Sequence, residues 1–491
     1  MTSKDQQIKN GIIYLMPVII GNVLPLVTLP IFTRILSTED YGVLALAQIY
    51  GSFVIGMASF GLPTIFERNF FEYKDLQKAS VLLYSTLTFI ALTFTLCAIL
   101  TYIFKAFLAK WIIGSPFHGN LLFWVYCSTG IISLKNYYLT FYKNMENAKN
   151  FVKYTIDESL MGVILSFVMI VFMKIGVIGL VWGQLLASLT IFLYLSFKFH
   201  RSYPFSYNFI ILQDSLRLGI PLLPRTLFTV AGNQSDKYMI SLITTAGGVG
   251  VYSIGQKIAN IVFTYMTAIQ NVFFPRVYKK MFEQGERGGE EIGHYLTPFA
   301  YVSVAIALTI ALFSEEIVSI ATPLSYHGAI NIVIILSLFY ASLFFGKQPQ
   351  LTFARKTHVT SVLAMVTTSL NIVVIIPLTA TWGAIGAAWG VLLGGMVSGI
   401  IAFMVSQHYY TIVWEYKKIL KIYGLLLLSS LLLMVLQYAG LSYPVRLVIK
   451  LLSLMWYVYL GIRLKIISHE NYQIVRQFFQ LRRSKSSEIS Y

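Results

Sequence analysis

Four basic side chains lie inside apolar stretches of the chain, where a cation has no bulk water: Lys135, Arg225, Lys257 and Lys450. A charge near the centre of a bilayer costs about 2.5–3.5 kcal/mol on insertion scales, so each position needs a reason. Arg225 follows Pro221 and Pro224. It lies about 13 Å inside its stretch, and Lys257 about 12 Å inside the next from the other face, at a rise of about 1.5 Å per residue. Those depths favour a water-filled cavity for both. Lys135 is about 9 Å from a helix end on the same rise, where lining a cavity and reaching out to the interface are equal readings. Lys450 is close to an end and is expected to snorkel. Arg34, at the end of the first stretch, is placed to close the same path. Cations in a membrane cavity suit an anionic ligand, and the guanidinium fork matches phosphate oxygens.

Acidic groups are fewer. Asp157 and Glu158 fall in the first turns of the fifth stretch, where a carboxylate also favours the positive end of a helix. Asp236 comes late in the seventh, next to Lys237, but adjacent helical residues point in different directions and do not form a simple pair. It suits either a coupling cation or a partner on a neighbouring helix, and the structural role is favoured. Asp236, Asp157 and Glu158 are therefore the candidates for gating or for coupling to a proton or Na+ gradient. Glu39 and Asp40 stand in STEDYG, where Ser37 and Asp40 match a capping box; capping outweighs the acid pair a membrane glycosyltransferase would present. The seven histidines show no ligand spacing, and Cys97 and Cys127 read as apolar filler. No metal or bound cofactor is expected.

A bilayer must position these groups. Of 491 residues, 57% are apolar and 12% charged, against roughly 25% charged in a soluble domain. A spanning helix takes about 20 apolar residues. Fourteen stretches qualify: 11–33, 43–66, 79–104, 119–141, 153–173, 176–197, 216–242, 249–274, 295–314, 328–346, 359–379, 383–407, 419–438 and 444–465. Most of the 37 Lys and Arg fall in alternate connections and in the C-terminal tail; the opposite side holds Arg34, Lys105, Lys110, Lys174, Lys237 and Arg446. Positive residues mark the cytoplasmic side, so both termini are expected inside. The net charge of +17 is then mostly topology and calls for no nucleic acid. Short connections leave no room for a soluble catalytic domain.

The chain also repeats itself. GVIGLVWGQLLA at 176–187 returns as GAIGAAWGVLLG at 383–394, an offset of 207, and YGVLALAQ at 41–48 returns as VGVYSIGQ at 249–256, an offset of 208. Two echoes at nearly one spacing indicate duplication of a long unit. An even number of spans per unit gives parallel repeats about an axis along the membrane normal, with a substrate cleft between them. The expected fold class is an all-α polytopic membrane protein with about 14 transmembrane helices. It comprises a lobe at 1–200, a pseudo-symmetric six-helix lobe at 201–410, two further helices at 411–466 and a cytoplasmic tail at 467–491. Prolines at matching places, Pro17, Pro25 and Pro30 against Pro221 and Pro224, point to a pathway through interrupted helices. Gly179, Gly183 and Ala187, with Gly386, Gly390 and Gly394, have the spacing of close helix packing.

These pieces together carry a resemblance. The proline-broken first helix running into TRILSTEDYG, the LRLGIPLLP and QSDKYMI segments, and GxIGxxWGxLL closing each half span most of residues 10–407. The chain resembles the polysaccharide flippases, O-antigen type included, of the multidrug/oligosaccharidyl-lipid/polysaccharide exporter superfamily. The resemblance implies two lobes alternating between inward- and outward-open states in the bacterial inner membrane. It implies a polyprenyl-pyrophosphate-linked oligosaccharide as substrate, moved from the cytoplasmic to the periplasmic leaflet, with polysaccharide polymerase and chain-length machinery as partners and no enzymatic step. Many such flippases have twelve spans; fourteen is also the count of lipid II flippases in the superfamily. The rival readings are a drug/cation antiporter, which would want deep carboxylates, and a membrane glycosyltransferase or polymerase, which would want a large external loop.

Overall fold

A computed structural model describes residues 23–73, 75–345, 349–354 and 356–466, with Met16, Ile20 and Gly21. Pro17, Lys4, Lys9, Lys74, Lys347, Arg355 and the tail from 467 lie outside the described residues. Within them the regular structure is entirely helical. The helices are α1 (Val23–Ile35), α2 (Thr38–Ala58), α3 (Leu62–Glu72), α4 (Leu76–Ile112), α5 (Gly119–Asn144), α6 (Ala148–Phe167), α7 (Val177–Ser202), α8 (Phe209–Gly219), α9 (Leu223–Ile243) and α10 (Ala246–Gln284). They continue as α11 (Gly288–Leu312), α12 (Ser314–Ala321), α13 (Ala329–Ser342), α14 (Pro349–Phe353), α15 (Thr357–Tyr409), α16 (Tyr416–Tyr438) and α17 (Tyr443–Arg463). Among the described residues nine helices are long and apolar enough to cross a membrane. One of these runs through two expected crossings, because α15 is continuous across a sharp bend at Gly383.

Local chemistry sets the helix ends. Ser37 opens α2 with the expected capping box: its Oγ accepts from Asp40 N at 3.1 Å, and Asp40 Oδ2 accepts from Ser37 N at 2.9 Å. Asp75, Asn147 and Asn208 cap α4, α6 and α8 without the reciprocal bond, each side chain accepting from a backbone N–H of the first turn. The stretch expected at 43–66 is not one helix. Phe60 and Gly61 take positive φ, 50° and 70°, ending α2 and starting α3 in a new direction.

The repeated glycines explain themselves first at Gly176 and Gly383, the opening residue of each repeated segment. Gly176 has φ 63° and ψ −147°, and Gly383 has φ 59° and ψ −136°. That region is open essentially to glycine alone. Each repeat therefore turns one crossing into the next at the first Gly of its GxIGxxWG segment. The later glycines pack, as their spacing indicates: a Cβ on Gly183 would strike Ser166, and one on Gly386 the carbonyl of Leu378.

By contact the chain forms two units. The first comprises 1–258, 318–329 and 364–394. Its core is a run of edge-to-face aromatic contacts, Phe66 on Tyr137, Phe70 on Phe141, Phe141 on Phe199 and Phe199 on Tyr84, with Leu82, Leu83 and Leu195 fully buried beneath it. Outside, Leu92, Leu96, Ile99, Ile103 and Phe107 are all exposed on α4. They recur every three or four residues and form one apolar stripe, which only lipid would solvate.

The second unit comprises 259–317, 330–363 and 395–491. Phe273, Met281, Ile292, Leu296, Phe344 and Trp414 fill its core. Tyr301 on α11 and Tyr457 on α17 stack at 4.6 Å, and each hydroxyl donates to the other's backbone carbonyl, at 3.1 and 2.7 Å. Lys450 departs from its expected role. It is fully buried and, instead of reaching water, bonds Glu315 at 3.0 Å and Glu316 at 2.7 and 2.9 Å. Arg446 joins the cluster through Glu315 at 2.6 Å. Two acids at the start of α12 thus hold the last helix by four charges that sum to zero.

Candidate functional site

Besides the Lys450 cluster, the deep charges form two networks inside the first unit. One joins α9 to α10. Tyr252 and Gln256 are four residues apart on α10 and share a helix face. Both donate to Asp236 Oδ2 on α9, the hydroxyl at 2.6 Å and the amide at 3.1 Å. The backbone N–H of Lys237 donates to Oδ1 at 2.8 Å. Asp236 is thus buried, and its hydrogen-bond donors are uncharged. Beside it Lys257 places its ammonium 5.8 Å from the Tyr41 ring centroid on α2, within cation–π range. Lys237 is near enough for the two ammoniums to repel, and its own amine donates to Gln234 at 3.4 Å. Two cations and one carboxylate leave this corner net positive.

Arg225 sits in the first turn of α9, after a 3-10 turn at Ile220–Leu222 that the prolines impose. Its side chain is exposed, and among the described residues no carboxylate pairs with it or with Lys257.

The second network joins α5, α6 and α7. Lys135 is ion-paired with Glu158, and both are buried. Lys135 therefore neither snorkels nor stands as an unpaired cation; its charge is already matched. The other Glu158 oxygen accepts from Ser188 Oγ at 2.6 Å. Asp157, by contrast, is exposed. The structure thus brings Lys135 to Glu158 and Asp236 to the corner of Lys257, and separates Asp157 from both networks. Sequence reasoning missed Tyr252, Gln256, Ser188 and Gln184. Gln256 was visible in the repeat as the partner of Gln48, and Gln184 and Ser188 have the spacing of one helix face in an otherwise apolar segment.

Around the start of α2 the two repeats meet by symmetry. A Cβ on Gly42 would strike the carbonyl of Ala246, and one on Gly250 the carbonyl of Thr38. Both residues of each contact map onto the other contact by the same offset of 208. The duplicated glycines thus let α2 and α10 touch backbone to backbone about a local pseudo-two-fold axis. Neighbouring bonds tie α1 and Leu36 to the segment before α13: Thr33 Oγ1 donates to Ala321 O at 2.9 Å, Tyr326 OH to Leu36 O at 2.8 Å and Arg34 to Ile320 O at 3.5 Å; Arg34 also donates to Pro30 O within α1 at 2.6 Å.

The fold is shared with known proteins. The solved structure "Lipid II flippase MurJ, inward closed conformation" superposes with a TM-score of 0.70 at 14% identity, covering 94% of this chain and 100% of that one. An inward-facing multidrug resistance MATE family transporter of the MOP superfamily gives 0.64 at 15% identity, over 81% of this chain and 97% of that one. A MOP superfamily transporter from Pyrococcus furiosus, noted for the reverse polarity of its binding pocket, gives 0.56 at 16% identity, over 83% and 98%. No curated protein matches the chain. The sequence family described as "Polysaccharide biosynthesis protein" matches residues 8–281. Since that match takes in more than half of the sequence, the chain belongs to the polysaccharide biosynthesis family, on the fold of the MOP superfamily transporters.

Proposed function

We propose that this protein is a flippase that carries polyprenyl-pyrophosphate-linked oligosaccharides, such as O-antigen or capsule repeats, from the cytoplasmic to the periplasmic leaflet of a bacterial inner membrane. The observation that carries the reading is the pair of cations on α9 and α10, Arg225 and Lys257, with no carboxylate partner among the described residues. A pyrophosphate and its sugars cannot cross hydrocarbon unaided, whereas a polyprenyl tail can remain in lipid. The protein then needs to supply a polar, positive path and alternating access, with no reactive nucleophile. The name of the MurJ structure supports a lipid-linked substrate, and the family supports polysaccharide. A drug/cation antiporter is favoured only by the MATE likeness. A site for a cationic drug would need an open carboxylate, and Glu158 and Asp236 are both already engaged. Handover to a polymerase and chain-length machinery belongs to the same proposal.

In cells, Arg225→Ala and Lys257→Ala are each expected to remove surface polysaccharide and leave lipid-linked repeat units inside, with protein levels unchanged. Loss of the protein itself would return these residues to a structural role. On this reading both termini and the turn at Gly288 face the cytoplasm and Ser325 faces outside. Cysteine labelling with an impermeant maleimide on intact cells should therefore modify Ser325→Cys and spare Gly288→Cys. Labelling of both would break the fourteen-span arrangement.

A further inference from the structure

The Lys135–Glu158 network has no twin in the second repeat. Shifting by 207 or 208 places Lys135 on Ser342 or Leu343, Glu158 on Met365 or Val366, and Ser188 on Gly395 or Met396. Neither ion returns at either offset, although the corresponding segments are helical there too, in α13 with the 3-10 turn at Leu343–Phe345 and in α15. The repeat is thus an internal control: the duplicated unit is built once with the ions and once without them. A buried ion pair is neutral or unfavourable for stability against apolar residues of similar size, and ionisable groups inside a membrane are costly enough to mark function.

The pair is also held as a switch would be. Lys135 on α5 bonds one Glu158 oxygen, Ser188 on α7 donates to the other, and Gln184 Nε2 donates to Ser188 at 3.3 Å. Gly162 makes room for that amide, since a Cβ there would stand 2.9 Å from Gln184 Oε1. The other titratable groups near the pair are the buried Tyr137 and Tyr138 on α5 and Tyr154 on α6, which accepts from Lys198 on α7 at 2.7 Å near Tyr142 on α5 and Tyr194 on α7; Lys153 and Asp157 share α6 with Glu158 and are exposed.

We propose that Glu158 is the proton-binding site that couples transport to a proton gradient, with Lys135 as its resident counter-cation. The proposal rests on the transport reading. Of the three candidate carboxylates, Asp157 is exposed and Asp236 is held by uncharged donors. At Glu158 one proton removes the charge that is bonded directly to a buried ammonium. The proton adds to a Glu158 oxygen from water on one side and later leaves to water on the other; nothing is oxidised or reduced. Protonated, Glu158 no longer ties α5 to α6, and its new O–H donates where the carboxylate only accepted. A single binding event thus biases the packing of three helices, as coupling requires. Because Lys135 already neutralises the carboxylate, Na+ has no vacant charge to fill.

The test uses the full-length protein in liposomes, with a fluorescent polyprenyl-diphosphate-linked oligosaccharide as the probe and imposed pH or Na+ gradients. Difference infrared spectra of the same preparations are recorded across pH. Lys135→Met/Glu158→Gln removes both charges at once, so neither buried ion is left alone. The wild type is expected to show a protonated-carboxyl band and several-fold faster flipping under a pH gradient. The double variant is expected to fold, to lack that band, and to flip at a rate the gradient does not change. Retained stimulation in the double variant, a wild type without the band, or stimulation by Na+ alone would overturn the proposal. Failure of the double variant to fold would also overturn it, by showing the pair to be structural. If the wild type moves none of the probe, the flippase reading fails, and the band alone decides whether Glu158 binds a proton.

Discussion

Arg225→Glu is expected to abolish transport while leaving the protein folded and inserted. A pyrophosphate needs positive charge first and fork geometry second, so the replacements should rank by charge. Arg225→Lys keeps the charge and loses the bidentate fork, and partial transport should remain. Arg225→Gln removes a charge-assisted hydrogen bond worth about 1.5–3 kcal/mol, and flipping should fall by about 10–100-fold. Arg225→Glu adds repulsion to that loss, and activity should be undetectable. Because Arg225 is exposed in the protein, none of these changes leaves a buried charge in the core. Rates of lipid-linked oligosaccharide transfer, normalised to inserted protein, check the ranking. Equal rates for Gln and Lys would remove charge as the cause.

Lys450→Met is expected to cost stability heavily without touching the transport path. The change leaves Glu316 without its ammonium and Glu315 with Arg446 alone. Removing one partner from a buried pair costs about 3–5 kcal/mol, and partial exposure of both acids places the effect near the lower end. Thermal unfolding in detergent should show a lower midpoint, and Glu315→Gln/Glu316→Gln/Lys450→Met should recover much of it. The cluster also carries a pH signature. Burial opposes the charge on Glu315, but hydrogen bonds from Arg446 and Lys450 outweigh it and hold its carboxyl below the ordinary range. Its contribution is therefore complete above the usual carboxylate pKa and is lost as pH falls through the lower, folded value. Acid should therefore destabilise the wild type more than the triple variant.

Lys450 also shows where reading a sequence stops. Its depth was legible, because apolar length fixes depth, and so was its need for an explanation. Its partners were not, since Glu315 and Glu316 stand more than a hundred positions away on another helix. Lys135 and Glu158 present the same case at shorter range. Both were singled out, but pairing across two helices depends on rotation about each axis, which composition does not set. What local chemistry fixes was legible: the capping box at Ser37, the packing glycines, and the duplication, whose offset reappears in the Gly42 and Gly250 contacts. The glycines at 176 and 383 belong with these. Their identity in both repeats was visible, but the left-handed turn that requires them was not.

The central claim is that this chain moves an anionic, lipid-linked oligosaccharide between leaflets. Its most direct test is purified protein in liposomes that carry a fluorescent polyprenyl-diphosphate-linked oligosaccharide in both leaflets, with an impermeant quencher added outside. With wild-type protein, quenching should run past the outer-leaflet half toward completion, while Arg225→Glu should stop at the half seen in protein-free liposomes. Wild-type protein that stops at that half, or Arg225→Glu that runs to completion at the wild-type rate, would contradict the account.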